Sequence, residues 1–156
     1  MNPAPVFTIG YEQSTTTAFF EALKAAHVGL LVDVRAVAAS RRPGFSKRQL
    51  AAGLDEHGIG YVHLQKLGTP KEGRLAARAG RAAEMLEIFE RHLDTVPAQE
   101  QLDELTALAK AQRQRSGAIC LLCYERDPAQ CHRQRLAAEL HDRLGMRVSH
   151  LFCAPV

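Results

Sequence analysis

Leu30-Leu31-Val32-Asp33-Val34 is the stretch that decides the fold. A strand with one face in water alternates apolar and polar residues. This one is apolar at nearly every position, as a strand covered on both faces requires, and such strands belong to parallel sheets lying between layers of helices. Val6-Phe7-Thr8-Ile9 (ending at Gly10), Tyr61-Val62-His63-Leu64, Ala118 to Cys123 and Arg147 to Phe152 read as further strands. The segments between them read as helices. Ser14 or Thr15 can cap one that carries Phe19, Phe20, Leu23 and Ala26 on a single face. Ser46 and Gln49 have capping-box spacing before a helix running to about His57, with Gly58 as its stop. Leu75, Ala79, Ala82, Leu86, Phe89 and Leu93 form one helical stripe, and Leu102, Leu105, Leu108 and Ala109 a second after the break at Pro97. Ala129 to Leu144 is expected to be the last long helix, ended by Gly145. The alternation predicts an α/β protein: a single three-layer domain, residues 1–156, with a mostly parallel sheet and helices on both faces.

Composition bounds the function. At 156 residues, 46% hydrophobic and 24% charged, the chain is an ordinary globular domain rather than a disordered tail. A net charge of +3 suits an anionic partner without demanding nucleic acid. Apolar runs of about five residues are far short of the roughly twenty that span a bilayer, so no membrane partner is expected. Met1 to Gly10 has no basic, apolar leader pattern. A cytoplasmic setting follows, with Cys120, Cys123, Cys131 and Cys153 reduced. The pattern sets no oligomeric state.

Right-handed crossovers bring the ends of the first four strands to one edge, where ligands of open α/β sheets sit. That edge gathers Gly10, Tyr11, Asp33, Arg35, His63 and Cys123. Ile119 to Arg133 adds Cys123, Glu125, Arg126, Cys131, His132 and Arg133 in a short space. A thiol at a helix start among cations loses its proton readily, so Cys123 is the favoured nucleophile, with Glu125 or His132 as proton carrier. The alternative is a buried core cysteine. Cys131 is a resolving thiol, a metal ligand or a packing residue. Arg133 can fork an oxyanion or pair with Glu125 or Asp127. Asp127-Pro128 is a turn and cap pair. Cys120 and Cys123 lie in one strand and point to opposite faces, so they can neither chelate nor join. Cys123, Cys131 and His132, with His63 or His150 as a fourth ligand, would make a zinc set. No second Cys-x-x-Cys and no His-x-x-x-His pair supports it, and neither a metal nor a cofactor is expected.

A basic loop follows the second strand: Arg35, Arg41, Arg42, Lys47 and Arg48 surround Pro43-Gly44-Phe45-Ser46. Cations beside a capped helix start suit an anion. Phe45 either stacks on a ring or anchors the loop. Asp33 either serves as acid/base or pairs with Arg35 or Arg41. Gly10 permits close backbone approach. Gln65 to Gly73 reads as a flexible loop able to close over the edge. Arg74, Arg78 and Arg81 are helically spaced, as a solvated face or a secondary anion contact. Dinucleotide, P-loop and G-x-S-x-G patterns are absent, which disfavours those chemistries.

These residues resemble a known family, domain of unknown function 488. The resemblance is carried by Thr8-Ile9-Gly10-Tyr11-Glu12, Leu31-Val32-Asp33-Val34-Arg35, Ser40-Arg41 through Pro43, Phe45-Ser46-Lys47, Tyr61-Val62-His63-Leu64, and Leu121-Leu122-Cys123 through Cys131-His132-Arg133. It implies an α/β fold and a shared site, and names no reaction. The candidates are therefore Cys123, Glu125, Cys131, His132 and Asp33 for catalysis. Arg35, Arg41, Arg42, Phe45, Lys47, Arg126, Arg133 and Tyr11 are the candidates for holding an anion. The expected partner is an anionic small molecule or nucleic-acid component. The alternative is a non-catalytic nucleic-acid-binding module.

Overall fold

The computed structural model describes residues 4–154. The first three residues of the N-terminal stretch just read, and the last two of the chain, lie outside the described residues. Strands β1 (Val6–Gly10), β2 (Val28–Asp33), β3 (Gly60–His63), β4 (Ala118–Cys123) and β5 (Val148–Leu151) form one sheet in the order β3-β2-β4-β1-β5. Every pairing in it is parallel. All strand ends with catalytic or anion-binding candidates therefore share one edge, with Gly10 opposite Cys123 and Asp33 opposite His63.

Helices α1 (Thr16–Ala25) and α2 (Lys47–Glu56) cover one face. Their Phe19, Leu23, Leu50 and Leu54 meet Ile9, Leu31, Cys120 and Leu122. Leu50 and Leu54, one turn apart, anchor α2, and burying each contributes about 1.5–3 kcal/mol. On the other face lie α4 (Ala82–Leu93), α5 (Val96–Arg113) and α6 (Arg133–Leu144). Phe89, Leu102, Leu105, Leu136 and Leu140 from these helices meet Val32, Val34, Ile119 and Leu121. Helix α3 (Lys71–Arg78) packs beside α4. No helix among the described residues is long and apolar enough to cross a membrane.

Local signals fail where tertiary contacts outbid them. The stripe from Leu75 to Leu93 is two helices, because Gly80 takes a left-handed φ of 79° between them and Leu75 is left exposed. The Ser46–Gln49 capping box does not form. Ser46 Oγ instead bridges the backbone of Ser40, and Gln49 accepts from the Gly44 N–H, so both side chains tie the basic loop to itself. Thr15, not Ser14, caps α1, accepting from the Ala18 N–H. The last helix begins at Arg133 rather than Ala129. A 3-10 turn, Pro128–Gln130, comes first, with Asp127 capping it through the Ala129 N–H. The segment expected as a flexible loop holds a 3-10 turn, Gln65–Leu67, with Leu67 and Thr69 buried.

Candidate functional site

Asp33 ends β2 fully buried, and its carboxylate is consumed by its surroundings. Arg35 grips it with Nε at 2.8 Å and a terminal nitrogen at 2.7 Å, Tyr61 donates at 2.5 Å, and the Arg35 N–H adds a fourth bond. The free fork of Arg35 donates to the Phe45 carbonyl and the Tyr11 hydroxyl. Asp33 therefore belongs to the frame rather than to proton transfer, and it is not among the residues lining the cavity. Burial opposes the charge on Arg35, and Asp33 outweighs it, so the guanidinium stays charged. Phe45 is buried, stacked on Tyr11 with ring centroids 4.5 Å apart; it anchors the loop and presents no face to a base.

At the end of β4 the Cys123 thiol donates to Glu125 Oε2 at 3.3 Å and lies 3.5 Å from Nδ1 of His132. Cys131, in the extended residue before His132, places its sulfur 3.8 Å from the same nitrogen. Nε2 of His132 donates to the Val34 carbonyl at 2.8 Å. That bond fixes the ring, so in the neutral form Nδ1 carries the lone pair toward both sulfurs. Burial pushes the Glu125 carboxyl up to about 7. Burial also raises the Cys123 thiol far above its ordinary value, helped by its neighbour Cys131. At Cys131 burial is outweighed by the Cys123 thiol and the charge of His132, and its proton is lost well below the usual range. His132, depressed by burial, is raised on balance by Cys131. The two thiols and the imidazole thus titrate as one unit.

A cavity of about 860 Å³ opens over this group, within the range of small-molecule sites. Cys123, Glu125, Cys131 and His132 line it together with Tyr11, Arg35, Arg41 and Arg42. Arg74 and Arg78 line it from α3. Arg42 donates to the Ser14 carbonyl and keeps a buried Nε without a partner among the described residues. Arg41, Arg42, Arg74 and Arg78 make no ion pair among the described residues, so they outnumber the two carboxylates of the lining, Glu12 and Glu125, and the wall is cationic on balance. By contrast, Arg81 is spent on Glu84 at the surface.

Besides Phe45, three anion-binding candidates are directed elsewhere. Lys47 is exposed and does not line the cavity. Arg126 points toward the end of β5, donating to the Cys153 carbonyl at 2.7 Å and lying over the Phe152 ring. Arg133 is fully buried beneath the 124–131 loop, where its fork donates to the carbonyls of Glu125 and Arg126 and to neither Glu125 nor Asp127 side chains. Arg133 thus shapes the loop. Replacing it with Met should cost about 2 kcal/mol in urea unfolding, because two half-buried carbonyls lose their donors while a buried charge is relieved. Unchanged stability with weakened phosphate binding would instead make Arg133 a ligand contact. Arg74 and Arg78, left outside the candidate set, were signalled only by their one-turn spacing, which a solvated face shares. The Val34 carbonyl that orients His132 has no sequence signal at all.

The model of one family, described as Domain of unknown function DUF488, matches residues 15–140. That span takes in the basic loop and the whole Cys123–Arg133 segment, and leaves Thr8 to Glu12 outside. No curated protein matches the chain. No solved structure matches it.

Proposed function

Since the chain belongs to the DUF488 family, whose function is unknown, we propose a function from its own geometry: a small enzyme acting on an anionic, phosphate-bearing substrate. One observation carries this reading. The cationic wall and the Cys123–Cys131–His132–Glu125 group share a single cavity. A guanidinium binds a phosphate through paired, charge-assisted hydrogen bonds, and Arg41, Arg42, Arg74 and Arg78 approach from two sides. An anion held among them lies over the group at the floor, where a hydrolytic or group-transfer step would take place. Glu125 and His132 are the groups placed to carry protons there.

The alternative of a nucleic-acid-binding module draws less support. Its stacking residue, Phe45, is buried, and Arg41, Arg42, Arg74 and Arg78 line the same cavity as the cysteine group.

Calorimetric titration with inorganic phosphate and with a nucleoside monophosphate tests the proposal. Arg42→Ala and Arg78→Ala should each weaken binding by roughly 10–100-fold, the worth of a charge-assisted contact. Phosphate that fails to bind, or binds both variants as well as the parent, would sink the reading. Tight oligonucleotide binding with a steep salt dependence and no phosphate binding would install the alternative.

A further inference from the structure

We propose that Cys123, Cys131 and His132 bind a zinc ion at the cavity floor, with the fourth coordination position facing the arginines. The proposal rests on the reading of this cavity as the functional site and supplies it with a metal.

The spacing is the first argument. Zinc bonds of about 2.3 Å to sulfur and 2.0 Å to nitrogen, in a tetrahedron, separate ligand atoms by roughly 3.5–3.8 Å. Nδ1 of His132 lies 3.5 Å from one sulfur and 3.8 Å from the other. All three ligand atoms lie within 4.8 Å of one another. The second argument is orientation. A metal-binding histidine donates its other nitrogen to a carbonyl or carboxylate, which fixes its tautomer. Nε2 does so toward Val34, leaving Nδ1 as the ligand atom. The third is charge. Binding displaces to solvent the Cys123 proton and the proton shared between Cys131 and Nδ1 of His132, and a zinc ion with two thiolates and a neutral imidazole carries no net charge. Such a shell can be buried at little cost, and all three residues are buried. Two soft sulfurs and an imidazole favour zinc over magnesium or manganese.

The fourth position distinguishes a working site from a structural one. His63 and His150, the fourth ligands considered from sequence, are engaged elsewhere: His63 donates to the Arg35 carbonyl and His150 pairs with Thr8. Instead, the three ligands line the cavity with Glu125 beside them. A water or a phosphate oxygen would take the open position, in the cavity that the arginines also line. The ligands come from a strand end and from two adjacent residues after a 3-10 turn. That spacing matches no standard zinc pattern, which is why the sequence alone pointed away from a metal.

The test uses the full chain purified without chelators. Elemental analysis should find one zinc per chain, and cobalt added to the metal-free protein should give thiolate-to-cobalt charge-transfer bands. Cys123→Ser and Cys131→Ser, shown folded by circular dichroism, should weaken zinc binding by at least about 100-fold against a competing chelator. Cys153→Ala, a buried cysteine outside the group, should retain it. A chain without stoichiometric zinc that also gives no cobalt–thiolate bands overturns the proposal, as does a Cys123→Ser/Cys131→Ser double variant that keeps its zinc. Zinc binding without phosphate binding would preserve the site and remove the proposed function. Phosphate binding without zinc would do the reverse.

Discussion

Asp33→Ala is expected to lose about 3–5 kcal/mol of stability in urea unfolding, the cost of leaving a buried guanidinium unpaired. The whole stability of a domain this size is about 5–15 kcal/mol, so the variant should be only marginally folded at room temperature. The size of the effect comes from what Asp33 holds. Its two oxygens take both arms of Arg35 and the Tyr61 hydroxyl, and Arg35 in turn holds the Phe45 carbonyl and Tyr11. Removing the carboxylate strands a charge with 5% exposure and unties the basic loop. The companion variant makes the cause explicit. Adding Arg35→Met should recover much of the loss, since an apolar pair replaces a broken ionic one. A loss below 1 kcal/mol in the single variant would return Asp33 to the acid/base role expected from sequence.

Gly10→Ala is the second large effect. A Cβ at Gly10 would stand 1.8 Å from the Glu125 carbonyl oxygen and 2.5 Å from its carbon. These are backbone atoms, so no rotamer change relieves the clash, and the 124–126 loop must move. Overpacking of this kind costs about 1–3 kcal/mol, and here the upper end is expected. The displacement also reaches the site. Glu12 and Tyr124 clasp the same loop through the Glu12 N–H and the Tyr124 carbonyl, and Glu12 accepts from the Arg126 N–H. Moving Glu125 shifts the partner of the Cys123 thiol. Urea unfolding should therefore show reduced stability, and phosphate calorimetry reduced affinity, in the same variant. A Gly10→Ala protein with parental stability would show that the close packing of β1 against the loop is not needed.

The two predictions show where sequence reading succeeds. The need for glycine at position 10 was legible because a residue without Cβ at a strand end marks close backbone approach. The carbonyl it accommodates was not, because Glu125 lies more than a hundred positions away. The pairing of Asp33 with Arg35 was one of two local readings, and only the enclosure by Tyr61, Tyr11 and Phe45 decides it. Arg133 has the same composition cues as Arg42, yet one is swallowed beneath a loop and the other lines the cavity. Charge and residue type cannot separate them, since both depend on which carbonyls the folded chain leaves unsatisfied. The split between α3 and α4 was hidden by an unbroken apolar period, in which Gly80 looked incidental.

The sequence by itself determined the parallel sheet, its covering helices and the edge where the candidate residues gather. Those follow from periodicity and from the handedness of the crossovers, which are local properties repeated along the chain. Only the tertiary structure decided which groups at that edge face one another. Nδ1 of His132 points at two sulfurs because Nε2 is held by a carbonyl at the end of β2, and Arg74 and Arg78 of α3 complete a cavity wall to which Arg41, Arg42 and the cysteine group contribute from far away in sequence. These are contacts between segments distant in sequence, fixed by packing and hydrogen-bond satisfaction, for which the chain carries no local mark.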